Sequence, residues 1–156
     1  MGVVVNRPSD IPLRKTLPEL SEARRLETPV YWGGPVQPEA ILALIRSPRS
    51  GTGARMVVPE VYLTADLDVL RTALTEPRPD RAVRVYSGYA GWSPGQLAGE
   101  YRRGDWILDR ADASSVFAPD PSYLWERVRA LMERREARDR QTIVPARGRT
   151  RATILL

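Results

Sequence analysis

The sequence contains no cysteine and no histidine. Without cysteine there is no disulfide framework and no thiol nucleophile. Without histidine the commonest general base and metal ligand at neutral pH is missing. Ser-His-Asp triads, Cys-His pairs and zinc sites are therefore excluded. Lysine is almost absent as well: Lys15 stands alone beside 23 arginines, a usage that fits a GC-rich codon bias better than selection for phosphate binding. No apolar run approaches the roughly 18 residues needed to span a bilayer, and the opening "MGVVVNRPSD" has neither the charged start nor the long apolar core of a signal peptide. The expectation is a cytoplasmic protein with no membrane segment, no metal and no cofactor. Carboxylates, hydroxyls, tyrosines and arginines remain to carry any chemistry.

What is present suits one domain: 156 residues with 42% hydrophobic content leave room for a single core. The net charge of +5 is localised, because residues 126–156 hold nine arginines against Glu126, Glu133, Glu136 and Asp139, while residues 1–125 hold 15 groups of each sign. The body is electrically neutral, so contact with nucleic acid would fall to the basic tail. That tail has no Phe, Tyr or Trp after Trp125 and so lacks a stacking platform for bases. Its interleaved acids, with a Glu136–Arg140 pair at i,i+4, equally suit a solvated or disordered end.

Hydrophobic periodicity predicts the elements. "GVVVN" reads as a buried strand ended by "RPSD", and "IPLRKTLPELSEARRL" as a short helical pattern broken at Pro18. "PVYWGGPVQP" is extended and enters a Gly-Gly-Pro turn. The run "AILALI" after it is helix or buried strand by period alone. "SPRSGTGA" is a loop, and "RMVVPEVYL" a strand interrupted by Pro59. "TADLDVLRTAL" is a helix capped by Thr64 or Asp66, with Leu67, Leu70 and Leu74 along one face. "RAVRVYSG" alternates as a half-buried strand. In "SGYAGWSPGQLAGEYRRGDWIL", Ser93 and Gln96 form a capping-box pair with Pro94 at the first helical position. That helix presents Leu97 and Tyr101 on one face and stops at Gly104 in a left-handed cap, before a short strand "DWILD". A last helix follows Asp120-Pro121, with Leu124, Trp125, Val128, Leu131 and Met132 as its apolar stripe. "TIVPARGRTRATILL" gives two apolar pieces around an Arg-rich turn, with no predicted structure.

The motifs "GVVVNRP", "VYWGGPV", "LTADLDVL" and "GYAGWSPGQLAGEYRRGDWIL", in this order and spacing, resemble the YqgE/AlgH-type bacterial proteins over roughly residues 2–132. The resemblance implies a single α+β domain whose bifurcated, mostly antiparallel sheet partly closes into a small barrel flanked by helices. It assigns residues 1–132 to that domain and 133–156 to a basic C-terminal extension. The family carries no assigned reaction, and some members bear the label of transcriptional regulator without a recognisable DNA-binding motif. The matching positions are Asn6, Arg7 and Pro8; Gly33, Gly34, Pro35 and Val36; Thr64 and Asp68; Gly88, Tyr89, Ala90, Gly91, Trp92, Gly95, Gln96, Leu97 and Glu100; and Trp106. Gly104 stands where the family tends to have Asn, Ala98 replaces a frequent Glu, and Tyr101 a frequent Ile. Gly99 in mid-helix costs about 1 kcal/mol relative to Ala. Family members carry a further stretch before the Asn-Arg-Pro segment. The resemblance thus implies an N-terminally shortened domain whose uncovered sheet edge lowers solubility or promotes self-association.

Two readings of the unusual residues stand side by side. In the functional one, Asn6, Arg7, Gly33, Gly34, Tyr89 and Trp92 converge on one groove that takes a small ligand or a protein partner. The domain is then a binding or regulatory module rather than an enzyme. In the other, Gly88 and Gly91 turn the chain while Tyr89 and Trp92 fill the core. "WGGP" is then a tight turn, and Pro8, Pro35, Ser93, Gly95, Gln96, Glu100 and Trp106 hold local structure. The carboxylates give no clean acid/base pair; an enzyme would need two ionisable groups facing a pocket, Arg7 with Glu100 first. Glu100 is otherwise expected to pair with Arg103 or a backbone donor.

Overall fold

Six strands form one sheet with helices on both faces. The computed structural model describes residues 1–20, 27–48, 53–76, 81–120 and 122–140. The strands are β1 (Pro8–Pro12), β2 (Pro29–Trp32), β3 (Val36–Arg46), β4 (Arg55–Val58), β5 (Val61–Thr64) and β6 (Ala82–Tyr89). The helices are α1 (Leu13–Thr16), α2 (Leu67–Thr75), α3 (Gln96–Arg102), α4 (Ala113–Val116) and α5 (Ser122–Arg140), with a 3-10 turn at Pro18–Leu20. Spatial order is β1-β2-β6-β3-β5-β4. Every pairing is antiparallel except β2 with β6.

The mixed α+β class and mostly antiparallel sheet follow the expectation. The partial closure into a barrel does not: β1 and β4 end the order as separate edges, so the sheet is open. Pro8 and Pro12 bound β1 and bring no N–H with which to extend a ladder.

Alternation along the strands builds two cores. Val30, Ala43, Ile45 and Val85 face Leu13, Leu17 and Leu20 and the buried side of α2, Leu70, Ala73 and Leu74. Tyr31, Leu42, Leu44, Val61 and Tyr86 face Val3, Val5, Ala113, Val116 and Leu124. Because both faces are covered, "AILALI" is a continuous apolar run and yet a strand. For the same reason β6 is not half-buried: it pairs on both sides, and Val85 and Tyr86 on its two faces are both buried. Burial pushes the Tyr86 phenol up, against a smaller opposing pull from the Arg84 cation.

Arg84, on the Tyr86 face, places its guanidinium 4.9 Å from the Tyr31 ring centre and 5.8 Å from that of Phe117. It donates to the Val116 carbonyl at 2.6 Å and to that of Ala118. A cation at the C-terminal end of α4 satisfies carbonyls that the helix leaves open. The sequence reading missed α4. Its cap is Asp112, whose Oδ1 accepts the Ser115 backbone N–H and the hydroxyls of Ser114 and Ser115, all at 2.7 Å. Those donors, the Ser115 hydroxyl foremost, hold the Asp112 carboxyl down to about 2.

Other details sharpen or correct the expectations. Asp66, not Thr64, caps α2, accepting from the N–H groups of Asp68 and Val69; Thr64 instead accepts from Asp66 N–H and donates to the Gly53 carbonyl. Leu67 turns outward and is exposed. "GVVVN" makes no strand of the sheet: Gly2 forms an isolated bridge with Ala90, and Val4 N–H reaches the Gly33 carbonyl at 2.9 Å. Val3, Val4 and Val5 are nevertheless buried. "DWILD" is not a strand either, and Leu108 is exposed. Residues 49–52 of the "SPRSGTGA" loop lie outside the described residues, as do the side chains of the expected Glu136–Arg140 pair and everything after residue 140.

Candidate functional site

At the end of β2 the chain crosses the end of β6. Gly33 N–H donates to the Ser87 carbonyl at 2.8 Å. A Cβ at Gly33 would meet the Gly88 carbonyl oxygen, one at Gly34 the Tyr89 backbone, and one at Gly88 the Gly34 carbonyl, all inside the 3.0 Å that real Cβ atoms keep. Gly88 is also left-handed, with φ +70. "WGGP" and the first glycine of "GYAGW" are therefore two halves of one backbone-on-backbone crossing, where only hydrogen fits. Pro35 follows it on the surface, and Gly91, also exposed, has ordinary space around it. Tyr89 is half-buried against the second core and pairs with Val36 across the sheet.

Beyond the crossing, Ser93-Pro94-Gly95-Gln96 makes a turn closed by Gln96 N–H to the Ser93 carbonyl at 3.0 Å. Gly95 takes φ 81 and ψ −15, the values of the third residue of a type II turn, with proline before it. The expected helix start at Pro94 moves to Gln96, and only half of the capping box forms. Gln96 Oε1 accepts Ser93 N–H at 3.0 Å, while no side chain caps the helix. The C-terminal stop is as expected: Gly104 sits at φ 83, with Asp105 N–H to the Glu100 carbonyl and Gly104 N–H to that of Tyr101, the paired bonds of a Schellman motif.

Glu100 does not pair with Arg103, which turns to Asp105 at 2.7 Å. Its Oε2 accepts both indole N–H groups, from Trp106 at 2.7 Å and Trp92 at 2.9 Å, and its Oε1 accepts the Gln96 amide at 2.9 Å. The two indoles meet edge-on with centroids 5.7 Å apart. The Trp106 bond, then those of Gln96 and Trp92, hold the Glu100 carboxyl below its ordinary range. Trp92 thus fills neither core. α3 buries no residue, and Leu97 and Tyr101, expected on a core face, are exposed. Two indoles, one carboxylate and one amide tie the helix to its own flanking segments, where an apolar face was expected to pack it.

Arg7 and Trp32 form the second feature. Trp32 N–H donates to the Arg7 carbonyl at 2.8 Å, and the Arg7 guanidinium carbon lies 4.5 Å from the centre of the Trp32 ring. Trp32 is 37% exposed. Among the described residues, no carboxylate lies within ion-pair distance of Arg7. Alternation explains the placement: Tyr31 turns into the second core, so Trp32 turns to the other face, at the strand's last residue. The sequence reading passed over Trp32, although inward-facing Tyr31 and the strand end at "WGGP" together signalled an outward tryptophan.

The backbone brings residues 2–7, 32–36 and 87–91 side by side, with Asn6 half-buried in the turn before Arg7 and Pro8 opposite Tyr31 in the sheet, but the side chains part: Arg7 stacks on Trp32, while Tyr89 packs against the second core. Trp92 belongs to the Glu100 cluster instead. The Arg7–Glu100 acid/base idea finds no support, since Glu100 spends its oxygens on three structural donors and Arg7 stacks on Trp32. No group of three acidic residues able to hold a metal occurs among the described residues, and no described helix is long and apolar enough to cross a membrane. An open hollow of about 420 Å³ beside β1 is lined by Ser9, Asp10, Pro12, Arg14, Lys15, Glu27 and Pro29, none of them a candidate residue.

An open six-stranded mixed sheet between helices, tied at one end by glycine crossings, defines a small single-domain α+β protein. The chain belongs to the AlgH-like family, whose profile matches residues 1–136. It is 42% identical over 130 residues to a UPF0301 protein of Methylococcus capsulatus, with 81% of this chain and 70% of the relative covered. It is 36% identical over 133 residues to a UPF0301 protein of Myxococcus xanthus at the same coverage. The solution structure of the AlgH protein from Pseudomonas aeruginosa matches with a TM-score of 0.65 and 30% identity, over 95% of this chain and 79% of that one. A crystal structure from Corynebacterium diphtheriae shares the fold at a TM-score of 0.61 and 22% identity, over 74% and 62% of the two chains. The family read from the motifs is borne out.

Proposed function

We propose that this domain works by binding a partner rather than by catalysis, and that the Arg7–Trp32 pair is the contact. One observation carries the reading: an exposed tryptophan with a guanidinium stacked on it, at a sheet end held rigid by the glycine crossing. Trp and Arg dominate binding hot spots because each brings large contact area with directional donors. Glu100, the carboxylate with the most perturbed surroundings in the family block, supports the same reading from the other side. Its acceptor sites serve Trp92, Trp106 and Gln96, which suits a structural role better than proton transfer. A regulatory role, including the one implied by the label of some family members, would run through this contact.

The test is to capture partners on the immobilised protein, purify the one retained, and titrate it against wild type and Trp32→Ala. Loss of a hot spot costs about 2 kcal/mol or more, roughly a thirtyfold weaker Kd. An unchanged Kd would place the contact elsewhere. A substrate turned over by the wild type and not by Glu100→Gln would favour the enzyme reading.

A further inference from the structure

The binding reading leaves the partner's chemistry open, and the surroundings of Arg7 narrow it. We infer that the Arg7–Trp32 pair anchors an acidic peptide segment, whose carboxylate takes the Arg7 guanidinium while an adjacent apolar side chain lies on the indole. This deepens the binding reading and rests on it.

Charge complementarity is the first ground. Arg7 is exposed and stacked, and no acidic side chain among the described residues pairs with it. Stacking uses the face of the guanidinium and leaves N–H donors at its rim, in the fork that matches a carboxylate. The neighbouring surface is the second ground. Trp32 and Ile41 both pair with Ser87, one from each side of β6, and the Ser87 hydroxyl donates to the Pro38 carbonyl. The indole therefore continues sideways into a bulge of β3, where Gln37 takes a left-handed φ of 45 and Pro38 is exposed. A non-glycine residue in that region is strained backbone held in place by its surroundings, and such positions gather at binding surfaces.

The same surroundings disfavour a polyanion. Glu39 is exposed on the bulge, and residues 1–125 carry no net charge. A nucleic acid backbone needs several cations along its track, whereas one free guanidinium suits one carboxylate.

The test uses isotope-labelled protein and follows the Trp32 indole N–H and the Arg7 Nε–H signals by NMR. Three probes are titrated: a capped peptide with two central glutamates flanked by leucines, its glutamine counterpart, and a mixed-sequence DNA duplex. The glutamate peptide should move both signals and bind at least tenfold more tightly than the glutamine peptide. Arg7→Ala should abolish that difference, and raising the salt should weaken the glutamate peptide alone. Equal binding of the two peptides, no shift at millimolar glutamate peptide, or tighter binding of the duplex would each overturn the inference. A captured partner that needs Trp32 but binds Arg7→Ala normally would overturn it while leaving the binding reading intact. Indifference to Trp32 would remove both.

Discussion

Replacing Gly88 by alanine tests whether the family glycines serve the crossing. Three contributions set the cost. A left-handed residue with a side chain costs about 1–2 kcal/mol, and Gly88 holds φ +70. The new methyl would also press on the Gly34 carbonyl oxygen and on Val36 O and Pro38 Cα, at 3.1 and 3.2 Å, all backbone atoms of packed segments. Overpacking of this kind costs about 1–3 kcal/mol. Against these, alanine restricts the unfolded chain and returns about 0.4–1 kcal/mol. The net loss is about 1–5 kcal/mol, a large part of the roughly 5–15 kcal/mol that holds a domain folded. Gly104 provides the control: its φ of +83 is similar, but a Cβ there meets nothing within 4 Å. Gly104→Ala should therefore cost about 0–1.6 kcal/mol, the left-handed cost minus the unfolded-state gain. Urea melts of both variants, with unchanged slopes, should separate their midpoints by about 1 M. Equal midpoints would refute the crossing, because shared backbone strain would then explain everything. Gly33→Ala approaches the same contact from the other strand, so its combination with Gly88→Ala should be non-additive.

Asp112→Ala should remove the α4 cap and cost about 1 kcal/mol, while Asp112→Asn keeps an acceptor and costs less. The folded Asp112 carboxyl is held down from 3.8 to about 2, so its contribution is complete above pH 4 and is lost as the pH falls toward 2. Asp112→Asn should therefore flatten that part of an acid-stability curve; a curve parallel to wild type would remove Asp112 from the account. Glu100→Gln should loosen both indoles, lowering the near-UV dichroism of the Trp92–Trp106 pair while far-UV signals stay. Because the Glu100 carboxyl is also held low, wild type should show the same loosening only as acid pH protonates it. An identical near-UV spectrum would show that the indoles are held by other contacts.

Secondary structure was legible wherever one physical cause dominated. The α2 helix follows from a single acidic cap and one apolar face, and the α3 stop from one glycine with open space around it. Legibility failed where tertiary covering decided. "AILALI" read ambiguously, and β6 as only half-buried, because helices from distant parts of the chain bury both faces of the sheet. α4 spans four residues and is defined by a polar cap and by Arg84 reaching across from β6, neither visible as hydrophobic period. α3 broke the rule in the opposite sense. Leu97 and Tyr101 repeat at helical spacing but stay exposed, and the hydrogen bonds to Glu100 come from the helix's own flanks, Trp92 and Trp106.

The candidate site divides along the same line. Gly33, Gly34 and Gly88 draw attention in a sequence because glycine is unusual in strands, yet each is explained by the backbone it lets pass. Trp92, Gln96, Glu100 and Trp106 draw attention as a dense polar-aromatic block, yet they satisfy one another. Arg7 and Trp32 differ in kind. Among the described residues, cutting Arg7 back to its backbone removes no hydrogen bond, because its carbonyl, not its side chain, ties it to Trp32. Trp32 contributes to neither core. Side chains that cost ordering entropy and return little folding energy need another reason to be where they are. The prediction that follows is a dissociation of effects. Arg7→Ala and Trp32→Ala should lie within about 1 kcal/mol of wild type in urea while binding falls steeply, whereas Gly88→Ala should lose stability first. Parallel losses of stability and binding in all three variants would make the Arg7–Trp32 pair one more part of the scaffold.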